Sequence, residues 1–302
     1  MRSKQLLAPL ALVLTNLFWA GNYIFGHVAV ATMSPLGLTF WRWLLAAPLL
    51  LLVAQLIEHP DWRLVARRLP RLLLIALLGL AVYNVVLYWA LQLTTPLNAS
   101  LITSVSPLAI TVCGAIFLGQ RLTRRAVSGL LIGLVGVVIV LTHGQVWRIA
   151  SLQLHTGDIL ILTSVLLWAA YTTMGRWVAD VPPITATGVE AALAALVLAP
   201  FAAATGAGWP QSPAAMWSLL FIAIFPSVIS FALWNMTVPK VGAAAAGASI
   251  NLMPVFIAIA QVLTGRPLLW SQVLGGLVVI SGVLLTTLPR RRPAPAGLRP
   301  TT

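Results

Sequence analysis

Arg42 and Glu190 each lie within a long apolar segment of the sequence, where a charged side chain is costly and therefore informative. A charge at the centre of a bilayer costs about 2.5–3.5 kcal/mol on insertion scales, so neither side chain should face lipid. We predict that Arg42 attracts an anionic group such as a carboxylate, and that Glu190 binds an amine or a coupling proton. The alternative is that both snorkel or bond locally near the interfaces.

Polar residues recur at helical spacing within other apolar segments, for example Asn84, Tyr88 and Gln92. Such stripes face the interior of a helix bundle, where rings hold the apolar part of a solute and amides orient its polar part. Ordinary helix packing is the alternative, and we favour it for Ser104. The candidate binding residues are Asn22, Tyr23, Arg42, Asn84, Tyr88, Trp89, Ser104, Glu190, Trp234, Asn235 and Asn251.

Sequence signatures of enzymes and of cofactor sites are absent. There is no Gly-x4-Gly-Lys-Ser/Thr, His-Glu-x2-His or Gly-x-Ser-x-Gly sequence, and the five acidic residues leave little for carboxylate catalysis or metal binding. The four histidines lack metal-ligand spacing. We therefore expect no enzyme activity, cofactor or metal. If the protein moves a solute uphill, a proton is the first choice of coupling ion.

The overall composition predicts an integral membrane protein. Of 302 residues, 60% are hydrophobic and 8% are charged, whereas soluble domains carry about 25% charged residues. The net charge of +13 does not indicate nucleic-acid binding, because the basic residues lie between apolar segments instead of forming a basic face on a soluble domain. The expected surroundings are a lipid bilayer.

Apolar segments of about 20 residues, each enough to cross a bilayer, are the elements that must position the polar stripes. They leave short connectors and no room for a soluble domain. Prolines 35, 96, 183 and 213 fall at predicted helix starts, where a missing N–H costs least. The ten predicted spans are roughly 7–31, 35–57, 71–93, 97–118, 125–142, 157–178, 184–204, 214–237, 243–264 and 270–288.

The distribution of Lys and Arg predicts the orientation. With a cytoplasmic N-terminus, the opposite side holds only Arg148 and Arg266. We predict a protein of the inner (cytoplasmic) membrane with both termini in the cytoplasm and a disordered basic tail over 289–302. The cytoplasmic basic residues would be Arg2, Lys4, Arg63, Arg67, Arg68, Arg71, Arg121, Arg124, Arg125, Arg176, Lys240, Arg290, Arg291, Arg292 and Arg299.

The sequence contains an internal repeat with an offset near 147 residues. Trp19 matches Trp168, Trp89 matches Trp234, Gly26 matches Gly175 and Pro107 matches Pro254, and aligning Pro35 with Pro183 makes Arg42 equivalent to Glu190. Each half, 1–145 and 146–288, holds five predicted spans. Because five is odd, the second half must insert upside down, an arrangement typical of transporters with a central cavity.

On these residues the chain resembles the EamA family of the drug/metabolite transporter superfamily. The resemblance rests on Asn16–Asn22, Phe40-Trp41-Arg42, Ser106-Pro107, Met253-Pro254 and the glycines of spans 5 and 10. It implies an all-α, polytopic fold of ten transmembrane helices, built as two inverted five-helix repeats around a central cavity. It also implies export of small metabolites such as amino acids. Gln120 and Arg266 stand where family members usually carry glutamate.

Other activities remain open at this stage. An importer or an exchanger of the same fold would share every feature above, and a membrane-embedded enzyme is a distant alternative. The glycines of spans 5 and 10 would permit close helix packing, either within the chain or in a homodimer.

Overall fold

A computed structural model describes residues 2–119, 124–145, 155–241 and 249–287, and helices form almost all of this part of the chain. The disordered tail predicted over 289–302 and the departure noted at Gln120 lie outside the described residues. The helices are α1 (Arg2–Ala29), α2 (Pro35–Ile57), α3 (Trp62–Ala76), α4 (Tyr83–Leu93), α5 (Pro96–Thr103), α6 (Ser106–Leu118), α7 (Arg124–Leu141), α8 (Thr156–Met174), α9 (Pro183–Ala204), α10 (Pro213–Ile224), α11 (Ser230–Val241), α12 (Leu252–Leu263) and α13 (Trp270–Thr287).

Seven helical stretches are long and apolar enough to cross a membrane. Three shorter apolar helices, Val127–Leu141, Leu252–Leu263 and Trp270–Leu285, occupy the predicted spans 5, 9 and 10. The all-α polytopic fold is confirmed, and the count agrees broadly with ten. The long stretches are Ala8–Ala29, Pro35–Ile57, Trp62–Leu93, Pro96–Phe117, Thr156–Val178, Pro183–Ala204 and Pro213–Val238.

The helices begin where the prolines predict. Pro35, Pro96, Pro183 and Pro213 each open a helix. Ser34 Oγ accepts a hydrogen bond from Gly37 N at 3.1 Å, and Thr95 and Ser212 cap their helices in the same way. A hydroxyl before a first-turn proline satisfies one of the N–H groups that a helix start leaves free.

The start of the third span is a correction to the sequence analysis, which placed it near residue 71 and expected a short connector before it. Helix α3 already begins at Trp62, because Asp61 Oδ1 accepts from Arg63 N at 2.9 Å and so caps it. The segment that follows consists mainly of strong helix formers, and it buries Val65. The third span therefore begins with an additional basic, amphipathic helical segment that starts at Trp62.

Both third spans contain a turn of π-helix. It covers Leu77–Val82 between α3 and α4, and Phe225–Ile229 between α10 and α11. A π turn has one residue more than an α turn and leaves backbone carbonyls without their usual partners. Pro226 accounts for the second one, because it has no N–H to continue the α-helical ladder.

Both fourth spans contain a turn close to their proline. Ser104 and Val105 form a turn between α5 and α6, just before Pro107. In the second repeat, Ile250 and Asn251 form a turn before α12, which carries Pro254. The equivalent prolines thus mark equivalent breaks, as the repeat predicts.

The two repeats are inverted relative to one another. The end of α2 contacts the start of α9, since Glu58 accepts from Ile184 N at 2.9 Å and Thr185 N at 2.7 Å. At the other end, Trp41 Nε1 of α2 donates to Gly208 O, just after α9, at 3.0 Å. These equivalent helices are therefore antiparallel, which requires oppositely inserted halves.

The fifth spans, α7 and α13, pair in the same antiparallel way through glycines. A Cβ on Gly136 would lie 2.7 Å from Gly275 O, and one on Gly282 would lie 2.5 Å from Gly129 O. The backbones therefore touch, as small residues permit in membranes. These glycines serve packing within the chain.

Candidate functional site

A large cavity of about 680 Å³ opens between α6, α8, α9 and α11. It reaches from Gly175–Pro183, which we call the open end of the bundle, to Trp19 near the centre. Its volume suits a small organic solute. The lining residues are Trp19, Pro107, Ile110, Thr111, Trp168, Tyr171, Thr172, Gly175, Val178, Ala179, Val181, Pro183, Ala186, Thr187, Glu190, Phe231, Trp234, Asn235, Val238 and Ile250.

Glu190 contributes the one charged side chain among the described residues that line this open cavity. The residue is only 3% exposed. Tyr171 OH donates to its Oε2 at 3.4 Å, a long hydrogen bond. A buried carboxylate normally accepts several bonds or pairs with a cation, so this one has acceptor capacity left for a ligand.

Arg42, the equivalent residue of the first repeat, is bonded on several sides. Its Nη1 donates to Asn84 Oδ1 and Tyr88 OH, each at 2.7 Å, and to Asn22 Oδ1 at 3.2 Å. Its Nε donates to Ser227 Oγ at 2.7 Å. We call these five residues the Arg42 cluster. Neutral oxygens thus hold the buried guanidinium, which is 4% exposed.

Arg42 faces a second, small cavity of about 60 Å³, which lies deeper in the bundle. Four residues line both cavities: Trp19, Trp168, Phe231 and Ile250. The rings of Trp19 and Trp168 meet edge to face at 6.4 Å between centroids. Because these two positions are equivalent in the repeats, the aromatic pair marks the approximate centre of the molecule and divides the two cavities.

The π turns shape this centre by presenting free carbonyls. Trp43 Nε1 donates to Leu80 O at 2.9 Å, and Trp19 Nε1 donates to Pro226 O at 3.3 Å. Buried indole N–H groups need such partners. Ser227, which bonds Arg42, lies within the second π turn.

The far end of the bundle, which we call the sealed end, is closed by contacts between the repeats. Trp41 packs on Trp209 with ring centroids 5.1 Å apart. Trp41 Nε1 donates to Ala207 O at 3.2 Å, and the hydroxyls of Thr32 and Ser212 are 3.3 Å apart. The central region is thus reached from the open end.

The structure gathers most of the predicted site residues into two groups. Asn22, Asn84 and Tyr88 join Arg42, and Tyr23 lines the small cavity beside them, with its OH 3.1 Å from Thr103 Oγ1. Trp234 and Asn235 line the open cavity with Glu190.

Three predicted site residues lie elsewhere. Trp89 is 49% exposed and lines neither cavity. Ser104 donates to Ser100 O at 2.9 Å and serves its own helix, as the packing alternative held. Asn251 is buried in the turn before α12, and among the described residues neither its Oδ1 nor its Nδ2 has a hydrogen-bond partner.

Several lining residues were absent from the predicted set. Trp168, Tyr171 and Phe231 line the open cavity, and Tyr83 lines the small one. The repeat held the signal for Tyr171, because the alignment of Trp19 with Trp168 makes it equivalent to Asn22. Both side chains bond the charged residue of the following span.

No group of His, Cys, Asp or Glu suited to a metal ion occurs in the part of the chain that the structure describes.

Comparisons with known proteins agree with this architecture. The model of the EamA-like transporter family matches the chain twice, over residues 6–142 and over residues 155–288. An uncharacterized transporter, YyaM, of Bacillus subtilis is 27% identical over 273 residues, covering 89% of this chain and 90% of the relative. The crystal structure of another protein is similar in fold, with a TM-score of 0.65 at 22% identity, and the match covers 96% of this chain and 99% of that one.

Two similar proteins carry names that state a solute. A probable terminal-alkyne amino-acid exporter of Streptantibioticus cattleyicolor is 29% identical over 294 residues, covering 94% of this chain and 95% of the relative. The aromatic amino acid exporter YddG of Ancylobacter novellus is 25% identical over 219 residues, covering 71% and 75% respectively.

Proposed function

The chain belongs to the EamA-like transporter family, and on this premise we propose that it exports small amphipathic metabolites, such as amino acids, by alternating access across the cytoplasmic membrane. The protein is a multi-pass membrane transporter and not an enzyme.

One observation carries the proposal: a cavity at the junction of two inverted repeats is open at one end and closed at the other. Inverted repeats allow the two halves to exchange conformations, which would open the same centre to the opposite side. The Trp41–Trp209 contact would then break, while α8 and α9 would close over Glu190.

The orientation predicted from Lys and Arg supports export as the direction. With cytoplasmic termini, the connector between α8 and α9 lies in the cytoplasm, so the open end faces the cell interior. A solute would enter there, pass the Trp19–Trp168 pair and leave through the sealed end once that end opens. An importer or an exchanger of the same fold would bind its solute from this side at a different step of its cycle.

The lining of the open cavity supports an amphipathic solute. Rings of Trp168, Tyr171 and Trp234 offer apolar contact, while Asn235 and Glu190 offer polar groups. The two relatives named as amino-acid exporters are consistent with such a solute. Glu190 is our candidate for coupling to a proton gradient.

The test is efflux from liposomes that contain the purified protein and labelled amino acids or their amines, with and without a pH gradient. A Gly175→Trp variant should block it, because a side chain at Gly175 meets open space and would fill the mouth of the cavity. Ile116→Trp adds a similar ring at a position that is 70% exposed and outside the cavity, so it should transport normally. Equal flux through both variants would contradict the proposed route.

Uptake and efflux compared in vesicles of known protein orientation would separate exporter from importer or exchanger. Export predicts net movement from the Gly175 side outward. Net movement in the other direction would overturn this part of the proposal.

A further inference from the structure

We propose that the open cavity recognises an ammonium group and does not use a carboxylate, so the transported solute is an amphipathic amine. The inference rests on the proposed function, since it names the substrate class of the same cavity. It departs from the expectation that Arg42 receives a carboxylate of the solute.

The first ground is the state of Glu190. Its carboxylate has one long hydrogen bond, from Tyr171, among the described residues. None of the described residues that line the open cavity is basic. A buried carboxylate without a cation is unfavourable, and an ammonium group of a bound solute would supply the missing charge and up to three N–H donors.

The second ground is the aromatic lining around the carboxylate. Trp168 and Tyr171 pack with ring centroids 5.2 Å apart, and Trp19 and Trp234, which also line the cavity, pack at the same distance. Faces of Trp and Tyr attract organic cations through the ring quadrupole. They also bury the apolar part of an amine, so one surface serves both ends of the solute.

The third ground is the inaccessibility of Arg42. The cavity that it lines holds about 60 Å³, room for a few water-sized groups, and lies behind Trp19 and Trp168. Its Nε and Nη1 already donate to four neutral oxygens. A carboxylate of a solute bound beside Glu190 therefore does not reach the guanidinium in this conformation.

Asn235 supplies an uncharged amide donor in the lining of the open cavity. Its Nδ2 is buried and has no hydrogen-bond partner among the described residues. A single neutral amide suits a hydroxyl, an ether or a ring nitrogen, whereas recognition of a carboxylate normally uses a charged or bidentate partner. An amine with one uncharged acceptor therefore fits this lining better than a zwitterion does.

The experiment uses three probes with the same ring: tryptamine, tryptophan and indole-3-propionate. We expect tryptamine to raise the melting temperature of the purified protein and to be transported by proteoliposomes above the leak of protein-free liposomes. Tryptophan and the acid should bind about tenfold more weakly or worse, equivalent to about 1.4 kcal/mol. Tryptophan binding as well as tryptamine would overturn the amine inference and leave export intact.

Two variants test the role of Glu190. Glu190→Gln should weaken tryptamine binding about tenfold, and Glu190→Asp, which keeps the charge, should retain an intermediate affinity even if the glutamine variant folds poorly. Asp61→Asn is the matched control, because it removes a carboxylate far from the cavity while asparagine still caps α3. Unchanged tryptamine affinity in both Glu190 variants would overturn the inference.

The two proposals fail separately. A tryptamine-induced shift that depends on Glu190, without flux of any probe, would support the amine site and contradict export. Flux of tryptophan in preference to tryptamine would support export and contradict the amine site.

Discussion

Gly26 and Gly175 hold equivalent positions in the two repeats, yet their surroundings are opposite. A Cβ on Gly26 would lie 2.9 Å from Tyr88 Cε1, whereas one on Gly175 would meet no atom within 4 Å. The nearby charges differ in the same way, since Arg42 is held by four neutral oxygens and Glu190 by one long bond.

This contrast shows how a repeated architecture produces a one-sided cavity. The helices are related by inversion, but the first repeat is closely packed around Arg42, whereas the second has an open cavity beside Glu190. In an alternating-access cycle the two regions would exchange these states. Stability should therefore depend on the residues of the packed region, and transport on those of the open one.

The largest effect is expected from Arg42→Met. The substitution leaves Asn84 Oδ1 and Ser227 Oγ without their donor, whereas Asn22 Oδ1 keeps the bond from Tyr88 OH. Each orphaned buried group costs about 1–3 kcal/mol. Thermal unfolding in detergent should show a loss of about 3 kcal/mol or more, whereas Glu190→Gln should change stability by about 1 kcal/mol or less. Equal losses in the two variants would break the comparison.

The next largest loss of stability is expected from Gly136→Ala and Gly275→Ala. These glycines lie where α7 of the first repeat and α13 of the second pack closely against each other. A Cβ on Gly136 would lie 2.6 Å from Val279 N, and one on Gly275 would lie 2.8 Å from Gly136 O. Backbone atoms cannot move aside as a side chain does, so each variant should lose about 2 kcal/mol. Similar melting temperatures are expected for the two because the glycines contact each other, and a large difference would contradict equal packing of the two helices.

A smaller effect on stability is expected from alanine at Gly26 and at Gly175. Gly26→Ala should be less stable than Gly175→Ala by about 1–2 kcal/mol, because only the former must displace the Tyr88 ring. Paired melting curves measure the difference. A less stable Gly175→Ala would indicate that the sealed end, and not the open one, is the looser region.

The smallest effect concerns the exposed ion pair Arg68–Asp180 beside the open end, with an N–O distance of 2.6 Å. The hydrogen bond from Arg68 lowers the pKa of Asp180 below its ordinary value of 3.8. Its contribution is therefore present above that value and is lost as the pH falls through the lower, folded-state pKa. Asp180→Asn should lower the melting temperature slightly at pH 7 and not at pH 2, and the reverse order would contradict this.

Sequence patterns predicted the fold well, because hydrophobic length, proline punctuation and the repeat are local or periodic signals. They also identified Arg42, Asn22, Asn84 and Tyr88 as inward-facing residues. The sequence could not tell that these four bond one another, since the contacts join three separate spans. It predicted Glu190 as a binding residue, but it could not tell that Glu190 would have fewer hydrogen bonds than the equivalent Arg42, because side chains from other spans decide that packing.

The misplaced residue Trp89 has a related cause. It directly follows Tyr88, which is fully buried. Neighbouring side chains on an α-helix point in different directions, so only one of the two faces the interior. The repeat aligns Trp89 with Trp234, yet of the two only Trp234 lines the open cavity. Two residues that align in the repeat therefore occupy the same position along their helices, but one can be exposed while the other lines a cavity.

The π turn at Leu77–Val82 has a consequence for insertions and deletions. It accommodates one residue more than an α-helical turn would. A chain one residue shorter here could therefore run as an unbroken α-helix and still direct Asn84 and Tyr88 at Arg42. The shorter chain would lose the Leu80 carbonyl as an acceptor for the Trp43 indole N–H. The extra residue therefore gives this N–H a hydrogen-bond partner that lipid could not provide.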